Sequence, residues 1–392
     1  MSGTGGSLYS IHVSTATTWR GGENQIWLLA RGLRAREQRV LVLAPPGAPL
    51  LERCAAADIP AQALGLRGEL DLRGAWRLAA LLRQEQPDIL HLHDGHAVLA
   101  GRLAAWLVGK GRVRVIVHRR TAFEVKGRWK YGGGVDRIIA ISAAVRDRLL
   151  AAGIPAGRVA VVYSGLEFPP FALASAEAET TGAPQGSGEA VALRRTLGIP
   201  ESAVLVAHAA ALTAEKRQCD MIAAVALANE TLKATPGTGV HLALAGSGEE
   251  EESLRGEARR RGMEGRVHFL GFVADLRALW GASAVALFAS EAEGLCTALI
   301  EAQGAALPAV VTRAGGMVEV VADGESGYVV EIGDTAAMAA ALVKLAGDEK
   351  LRRRLGLVGA RRVRAKFAMD AMVDGVLQVY RSVCSRGRGT SL

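Results

Sequence analysis

The sequence predicts an α/β protein with two domains, each built around a parallel β-sheet. Its length of 392 residues exceeds what one hydrophobic core usually supports, so two domains are the first expectation. In both halves, short apolar runs alternate with longer amphipathic stretches, which is the pattern of repeated β-α-β units. Between the halves, residues 167–190 are rich in Pro, Ala, Gly and Ser, and we interpret them as a linker.

Strands are predicted where short apolar runs occur. In the first half these runs are Tyr9 to Val13, Val40 to Ala44, Ile89 to Leu92, Val113 to Val117, Arg137 to Ala140 and Val159 to Tyr163. In the second half they are Val204 to Ala210, His241 to Ala245, Val267 to Leu270, Ala284 to Ala289, Ala309 to Thr312 and Gly327 to Val330. Ligands of parallel sheets bind beyond the carboxyl ends of the strands, so we expect the site in the loops that follow them.

Composition argues against several classes of protein. No apolar run reaches about 18 residues, so no transmembrane helix is expected. The first residues have neither a basic stretch nor an apolar core, so no signal peptide is expected either. The four cysteines are scattered without C-x-x-C spacing, which fits a reducing cytoplasm better than a zinc site or a disulfide framework. A net charge of +8 favours anionic partners, but charge alone does not indicate nucleic-acid binding.

The segment from Ser290 to Glu319 is the most informative part of the chain. Glu293 precedes Gly294, and a second carboxylate, Glu301, follows Glu293 after seven intervening residues. The composition of Leu295 to Gln303 predicts a helix whose first N–H groups face the glycine turn, and such a helix start suits a phosphate. Glu301 is expected two turns along this helix. Phosphate donors beside carboxylates that bind hydroxyl groups predict a nucleotide-sugar site.

With the strand after Pro308 and the Gly315-Gly316 loop, this segment resembles the E-x7-E signature of retaining GT-B glycosyltransferases, particularly family 4. The resemblance implies an α/β GT-B fold of two Rossmann-like domains facing each other across a cleft. It implies an N-terminal acceptor domain at 1–166, the flexible linker at 167–190 and a nucleotide-sugar-binding domain at 191–367. A last helix within 368–392 is expected to return to the first domain.

The resemblance also implies roles for residues of the second half. Glu301 is expected to bind the nucleotide ribose, and Glu293 is expected to contact the donor sugar. The G-x-G turn at Gly246 and the loop at Phe272 are expected near the nucleotide. The amides expected to hold the diphosphate belong to Leu295, Cys296 and Thr297.

One residue departs from the family pattern. Lys216 matches the lysine that, together with an arginine, neutralises the leaving diphosphate in the family. Here Ala211 occupies the place of that arginine. Two charges on a diphosphate stabilise the negative charge that separates during transfer, so the loss of one is expected to be costly. We interpret the protein as a variant subgroup, with a noncatalytic GT-B protein as the alternative.

In the first half, Gly21 and Gly22 follow the first strand and open a helix. They resemble the family's glycine loop beneath the acceptor and donor phosphates, whereas the simpler interpretation is an ordinary helix start with a glycine turn. His118 matches a histidine that approaches the donor sugar and the acceptor in many relatives. Arg119 and Arg120 belong to a basic stretch that could face a phosphorylated glycan, an anionic membrane surface or only solvent.

His91 and His93, followed by Asp94, have a spacing that also suits a metal. The resemblance implies metal-independent chemistry instead, with His93 on the acceptor side and no cofactor apart from the nucleotide-sugar co-substrate.

The expected activity is therefore transfer of a sugar from a nucleotide-diphosphate sugar to a hydroxyl of a glycan or lipid-linked acceptor, with retention at the anomeric carbon. Family prevalence suggests bacterial envelope, lipopolysaccharide or surface-polysaccharide synthesis, in the cytoplasm or peripherally at the inner face of the membrane. A GT-B nucleotide-sugar epimerase is a second alternative, and it would need its own catalytic carboxylates. A dinucleotide-dependent dehydrogenase is disfavoured, since no G-x-G-x-x-G follows the first strand.

Overall fold

A computed structural model of the protein describes residues 6–66, 68, 71–125, 127–168, 188–233 and 239–385. The chain forms two compact units: Met1–Glu167 together with Phe367–Leu392, and Phe168–Lys366. Residues 169–187, most of the expected linker, and residues 386–392 lie outside the described part of the chain. Each unit is an α/β structure around one parallel sheet, which confirms the predicted fold class.

The first unit has a seven-stranded parallel sheet with the order β3-β2-β1-β4-β5-β6-β7. Its strands are β1 (Tyr9–Val13), β2 (Arg39–Ala44), β3 (Ala61–Ala63), β4 (Ile89–Leu92), β5 (Arg114–Arg119), β6 (Arg137–Ala140) and β7 (Val159–Val161). The helices between them are α1 (Gly21–Ala35), α2 (Pro49–Ala56), α3 (Leu72–Glu85), α4 (Ala97–Val108) and α5 (Ala143–Ala151).

The second unit has a six-stranded parallel sheet with the order β10-β9-β8-β11-β12-β13. Its strands are β8 (Val204–Ala209), β9 (Val240–Ala245), β10 (Val267–Gly271), β11 (Val285–Phe288), β12 (Ala309–Thr312) and β13 (Gly327–Val330). Its helices are α6 (Gly188–Thr196), α7 (Gln218–Thr231), α8 (Glu251–Arg260), α9 (Arg277–Ala282), α10 (Thr297–Gly304), α11 (Met317–Val320), α12 (Thr335–Gly347) and α13 (Glu349–Lys366).

Five strands are buried along their whole length. Every residue of β1, β4, β9, β11 and β12 is buried, as expected where helices cover both faces of a parallel sheet. In each sheet the strand order reverses once, between β1 and β4 in the first unit and between β8 and β11 in the second. A crevice for ligands opens at such a reversal, beyond the carboxyl ends of the strands.

The last helix, α14 (Met369–Ser385), packs on α1 of the first unit. Gly32 makes the close approach feasible, because a Cβ at this position would lie 2.4 Å from Cγ2 of Val373. Arg36 of α1 also forms ion pairs with Asp370 at 2.9 Å and Asp374 at 2.8 Å. At its far end, the Tyr380 hydroxyl lies 2.7 Å from Nδ1 of His91 in β4. The last helix therefore contacts the central strand β4 of the first sheet.

Several strand bounds differ from the predicted ones by one or two residues, and two further details differ from the sequence expectations. The edge strand β3 was not predicted, because Ala61–Ala63 is short and largely exposed. Helix α10 begins at Thr297 and not at Leu295, since Cys296 has an extended backbone and caps the helix. Glu301 therefore lies about one turn into the helix, whereas two turns were expected. Among the described helices, none combines the length and hydropathy needed to cross a membrane.

Candidate active site

The reversal of strand order in the second unit brings Lys216 and Glu293 together. Lys216 ends a short 3-10 turn after β8, and Glu293 lies in the loop after β11. The Lys216 Nζ atom is 2.5 Å from Oε1 of Glu293, and the two side chains are only 18% and 13% exposed. Burial alone would lower the pKa of Lys216, but the carboxylate of Glu293 reverses this effect and leaves that pKa raised. The lysine is therefore a firmly charged cation at the strand ends.

Two glycines hold the loop that carries Glu293. Gly315 has a φ of +49°, and a Cβ there would lie 1.8 Å from the carbonyl oxygen of Glu293. The Gly316 N–H donates to the same oxygen at 3.1 Å, and a Cβ on Gly316 would lie 2.4 Å from the carbonyl oxygen of Gly294. The two backbone segments thus touch directly. The Gly315-Gly316 loop fixes the position of Glu293 and of the amides that follow it.

The amides of Leu295, Cys296 and Thr297 lead from this loop into α10. The Cys296 side chain is 6% exposed, and burial raises the pKa of its thiol above the ordinary range, so Cys296 acts as a small packed residue. On α10, burial also raises the pKa of Glu301, although the nearby Trp280 side chain offsets part of the rise. A carboxyl group that is shielded from water suits hydrogen bonds from ligand hydroxyl groups.

The other residues of the second unit that the sequence predicts at the donor site also lie at strand ends. Gly246 follows β9 with a φ of +144°, and a Cβ on it would lie 1.8 Å from the carbonyl oxygen of Ala210. Phe272 follows β10 and is 75% exposed. Arg217 does not replace the arginine missing at Ala211, because its guanidinium Nε atom pairs with Asp220 at 2.7 Å. Lys216 therefore supplies the cationic charge at this point of the loop.

In the first unit, the residues after β1, β4 and β5 line a cavity of about 200 Å³. Gly22 lies in the first turn of α1, directly after Gly21, and belongs to the cavity wall. The sequence-predicted residues His93, His118, Arg119 and Arg120 also line this cavity.

Four buried histidines form a cluster at this cavity, and two of them line it. They are His12, His91, His93 and His118. The His12 Nδ1 atom is 2.9 Å from Nε2 of His93, and His12 Nε2 is 3.0 Å from the hydroxyl of Ser10. The His118 ring is parallel to His91, with centroids 5.3 Å apart. Sequence reasoning missed His12, although His12 and His91 are direct partners in the β1–β4 pair. The sequence signal was that His12 and His91 are the fourth and third residue, respectively, of a predicted strand, and that these two strands pair in the sheet.

Arg120 fixes the tautomers of this chain of hydrogen bonds. Its Nη2 atom is 3.2 Å from Nδ1 of His93, and a guanidinium only donates. The neutral His93 therefore carries its proton on Nε2 and donates it to Nδ1 of His12. His12 in turn carries its proton on Nε2 and donates it to the hydroxyl oxygen of Ser10. Burial lowers the pKa of His93 and His118 well below the ordinary value, and Arg120 adds to the effect. Burial and Arg120 together lower the pKa of His12 to about 3.

The two neighbouring arginines have different surroundings. Arg119 donates to the carbonyl oxygens of Thr121 and Phe123 and to the hydroxyl of Tyr131, so it holds the loop after β5 in place. Arg120 has shielded Nε and Nη1 atoms without hydrogen-bond partners. Burial lowers the pKa of Arg120 to about 10, against the attraction of Glu23 and Asp94.

Within the described residues, His12, His91 and His93 are close enough to hold a metal ion, since one ligand atom of each lies within 4.8 Å of the others. Several of these atoms are already engaged, because His12 uses both nitrogens and His93 bonds to His12 and Arg120. A metal would have to break these bonds beside the positive charge of Arg120. The donor set therefore favours a hydrogen-bonded chain over a metal site.

Comparison with known proteins identifies the class to which this fold and site belong. The model of "Glycosyltransferase Family 4" matches residues 19–168, and the model of "Glycosyl transferases group 1" matches residues 191–362. Each match covers one of the two α/β units. The chain belongs to the GT-B glycosyltransferases, which confirms the family predicted from the Ser290 to Glu319 segment, while retention at the anomeric carbon stays a prediction.

Individual relatives and solved structures agree with this assignment. The chain is 33% identical to the lipopolysaccharide core biosynthesis glycosyltransferase LpsE of Rhizobium meliloti over 50% of this chain, and the match spans 56% of that protein. It is 27% identical to the N-acetyl-α-D-glucosaminyl L-malate synthase of Bacillus anthracis, over 80% of this chain and 79% of the synthase. The Anabaena protein HepE, solved in complex with UDP, shares the fold with a TM-score of 0.79 at 19% identity, covering 96% of this chain and all of HepE.

The contact between the glycine loop and the Glu293 loop generates a first prediction. Replacing Gly316→Ala places a methyl group against the backbone oxygen of Gly294, and neither backbone yields cheaply. We expect a loss of about 1–3 kcal/mol in the free energy of unfolding, measured as a lower melting temperature. Gly347→Ala is the matched control, because nothing lies within 4 Å of its Cβ position. Equal melting temperatures for the two variants would contradict this account.

The histidine cluster generates a second prediction, on pH. The folded state keeps His12 neutral down to a pKa of about 3, whereas an unfolded histidine binds a proton below about pH 6.5. Its stabilisation is therefore complete above pH 6.5 and is lost as the pH falls towards 3, with a loss of about 2 kcal/mol at pH 5.

We accordingly expect the melting temperature to fall between pH 7.5 and pH 5, and to fall less in a His12→Asn variant. Buried histidines of the second unit, such as His208 with its pKa lowered to about 4, contribute equally in both proteins. The same pH dependence in the variant and the unmodified protein would rule out a buried neutral His12.

Proposed function

We propose that this glycosyltransferase moves a sugar from UDP to a hydroxyl of a glycan or lipid-linked acceptor, in the synthesis of lipopolysaccharide or another envelope polysaccharide. The observation that carries the proposal is the buried Lys216–Glu293 pair at the strand ends of the second unit, with Glu301 on the adjoining helix. The match to the group 1 glycosyltransferase model covers all three residues. UDP is proposed because HepE was solved with it, and the acceptor class because of the name of LpsE.

In the proposed reaction, the bond between the anomeric carbon and the diphosphate oxygen breaks while the acceptor oxygen bonds to the same face of the sugar. The acceptor's proton passes to an oxygen of the leaving diphosphate, so the anomeric configuration is retained. Lys216 and the amides of Leu295 to Thr297 stabilise the departing charge. In this scheme the charge is stabilised by Lys216 and the backbone amides, and no metal ion is assigned a role.

Further roles are assigned to the remaining residues. Glu301 accepts hydrogen bonds from the ribose hydroxyls, and Glu293 accepts them from the donor sugar. Gly246 and Phe272 border the nucleotide. We assign the acceptor to the first unit, where His118 orients the reacting groups and His93 belongs to the acceptor side. Gly21 and Gly22 present the start of α1 there, and a helix start favours negative charge.

A binding measurement tests the donor assignment. We expect UDP to stabilise the protein, by about 2.7 kcal/mol at a hundredfold excess over its dissociation constant, and GDP and ADP to do so less. In Glu301→Gln, UDP affinity should fall about tenfold, because about 1.4 kcal/mol of charge-assisted hydrogen bonding is lost. Glu252→Gln, on the exposed start of α8, is the matched control. Unchanged affinity in Glu301→Gln would overturn the ribose assignment, and no binding of any nucleotide would favour a noncatalytic protein.

A turnover measurement tests the role of Lys216. Hydrolysis of a UDP-sugar by water, followed as UDP release, requires no known acceptor. We expect Lys216→Met to slow this release about 10²–10³-fold, because a cation aimed at the developing charge is removed. Lys350→Met removes an equal charge from an exposed position and should leave the rate unchanged. If the rate is equal in Lys216→Met and the unmodified protein, Lys216 does not stabilise the leaving group.

A further inference from the structure

Arg120 is a shielded cation without an ion-pair partner among the described residues. Its Nε and Nη1 atoms are hidden from solvent and have no hydrogen-bond partner, and its Nη2 atom meets only the neutral His93 in the bonds described above. A buried charge is costly unless it is paired. The three N–H groups on Nε and Nη1 are therefore donors that the folded chain leaves unused.

The carboxylates nearest to Arg120 are committed elsewhere. Asp94 accepts hydrogen bonds from the amide and hydroxyl of Thr15 and from the amides of His96 and Ala97. Glu23 accepts from the amide of Arg20 at the start of α1. Each carboxylate thus serves a loop or a helix start. Both attract Arg120 at longer range, but neither forms an ion pair with it.

Although its Nε and Nη1 atoms are shielded, Arg120 as a residue is partly exposed and borders a cavity. It lines the cavity of about 200 Å³ in the first unit, beside Gly22. A Cβ on Gly22 would lie 3.9 Å from Cδ of Arg120, so the start of α1 and the arginine border the same space. The positive end of the α1 dipole adds to the charge of the guanidinium. Drug-sized ligands occupy about 300–1,000 Å³, so this cavity suits one small group and not an extended glycan.

We propose that Arg120 binds an anionic oxygen group, a phosphate or a carboxylate, on the acceptor. The ligand supplies the counter-charge that the folded chain lacks, and Arg120 thereby selects acceptors that carry such a group next to the reacting hydroxyl. Arg119, with its guanidinium bonded to the β5 loop, positions Arg120 and does not bind the anion. This inference rests on the proposed transfer to an acceptor held by the first unit.

The test uses the full chain and inorganic phosphate as the probe, with acetate as the carboxylate probe. Phosphate should raise the melting temperature in a saturable way, and Arg120→Gln should weaken this binding at least tenfold. Arg112→Gln removes the same charge from an exposed position of the first unit and should bind phosphate normally. Without ligand, Arg120→Gln should melt at the same temperature as the unmodified protein or higher, because an unpaired buried charge is gone.

UDP binding distinguishes the two possible sources of the anion that Arg120 binds, which are the acceptor and the diphosphate of the donor. If the acceptor supplies the anion, phosphate and UDP bind together, and the UDP dissociation constant of Arg120→Gln stays within about twofold of the unmodified value. Competition between phosphate and UDP, or UDP binding weakened in Arg120→Gln, would assign Arg120 to the donor and overturn the proposal.

Two further results test the proposal even if the Arg120→Gln variant does not fold. If Arg120→Gln fails to fold, the competition experiment on the unmodified protein decides, together with Arg120→Lys, which keeps the charge and should retain measurable phosphate binding. Stabilisation by neither phosphate nor acetate would overturn the proposal. The UDP binding that depends on Glu301 would survive that result, so failure here is distinct from failure of the proposed function.

Discussion

Both units depend on one constraint, the right-handed connection between parallel strands. Such connections place successive helices on one face of a sheet until the strand order reverses, and at the reversal the two neighbouring loops part. In this chain the reversals lie between β1 and β4 and between β8 and β11. Residues far apart in sequence meet there: Lys216 reaches Glu293 across 77 positions, and His12 reaches His93 across 81. The strand order therefore determines which loops become neighbours, whatever side chains those loops carry.

The two units treat buried positive charge in opposite ways. In the second unit, Lys216 is neutralised by Glu293, so an incoming diphosphate has to compete with an internal carboxylate. In the first unit, Arg120 donates to an uncharged imidazole. The folded protein therefore retains the unfavourable free energy of shielding an unpaired charge from water. An internal partner makes the cation stable in the absence of a ligand. In our proposal, the missing partner makes the Arg120 site selective for a ligand that brings a negative charge.

The strands were predictable because a parallel sheet demands continuous apolar runs: β1, β4, β12 and β13 begin and end where the runs do. Edge strand β3 was not predicted, since its three largely exposed residues do not form an apolar run. The motif around Glu293 was legible because its spacing is local. The role of His12 was not predictable, since it arises from pairing with His91 across the sheet. The direct backbone contact at Gly315 and Gly316 was not predictable either.

The replacement of the family arginine by Ala211 acquires its meaning from the backbone around it. Arg217 is next to Lys216, yet its φ of +51° and its bond to Asp220 turn the side chain towards α7. The lost charge is therefore not restored by the neighbouring arginine. In the proposed reaction, with one lysine in place of two cations, stabilisation of the leaving diphosphate rests more heavily on the amides of Leu295 to Thr297. The loop that precedes those amides is in backbone contact with Gly315 and Gly316, which fixes the start of the segment that carries them. We therefore propose that rigidly placed neutral donors take the role that the family resemblance assigns to a second cation.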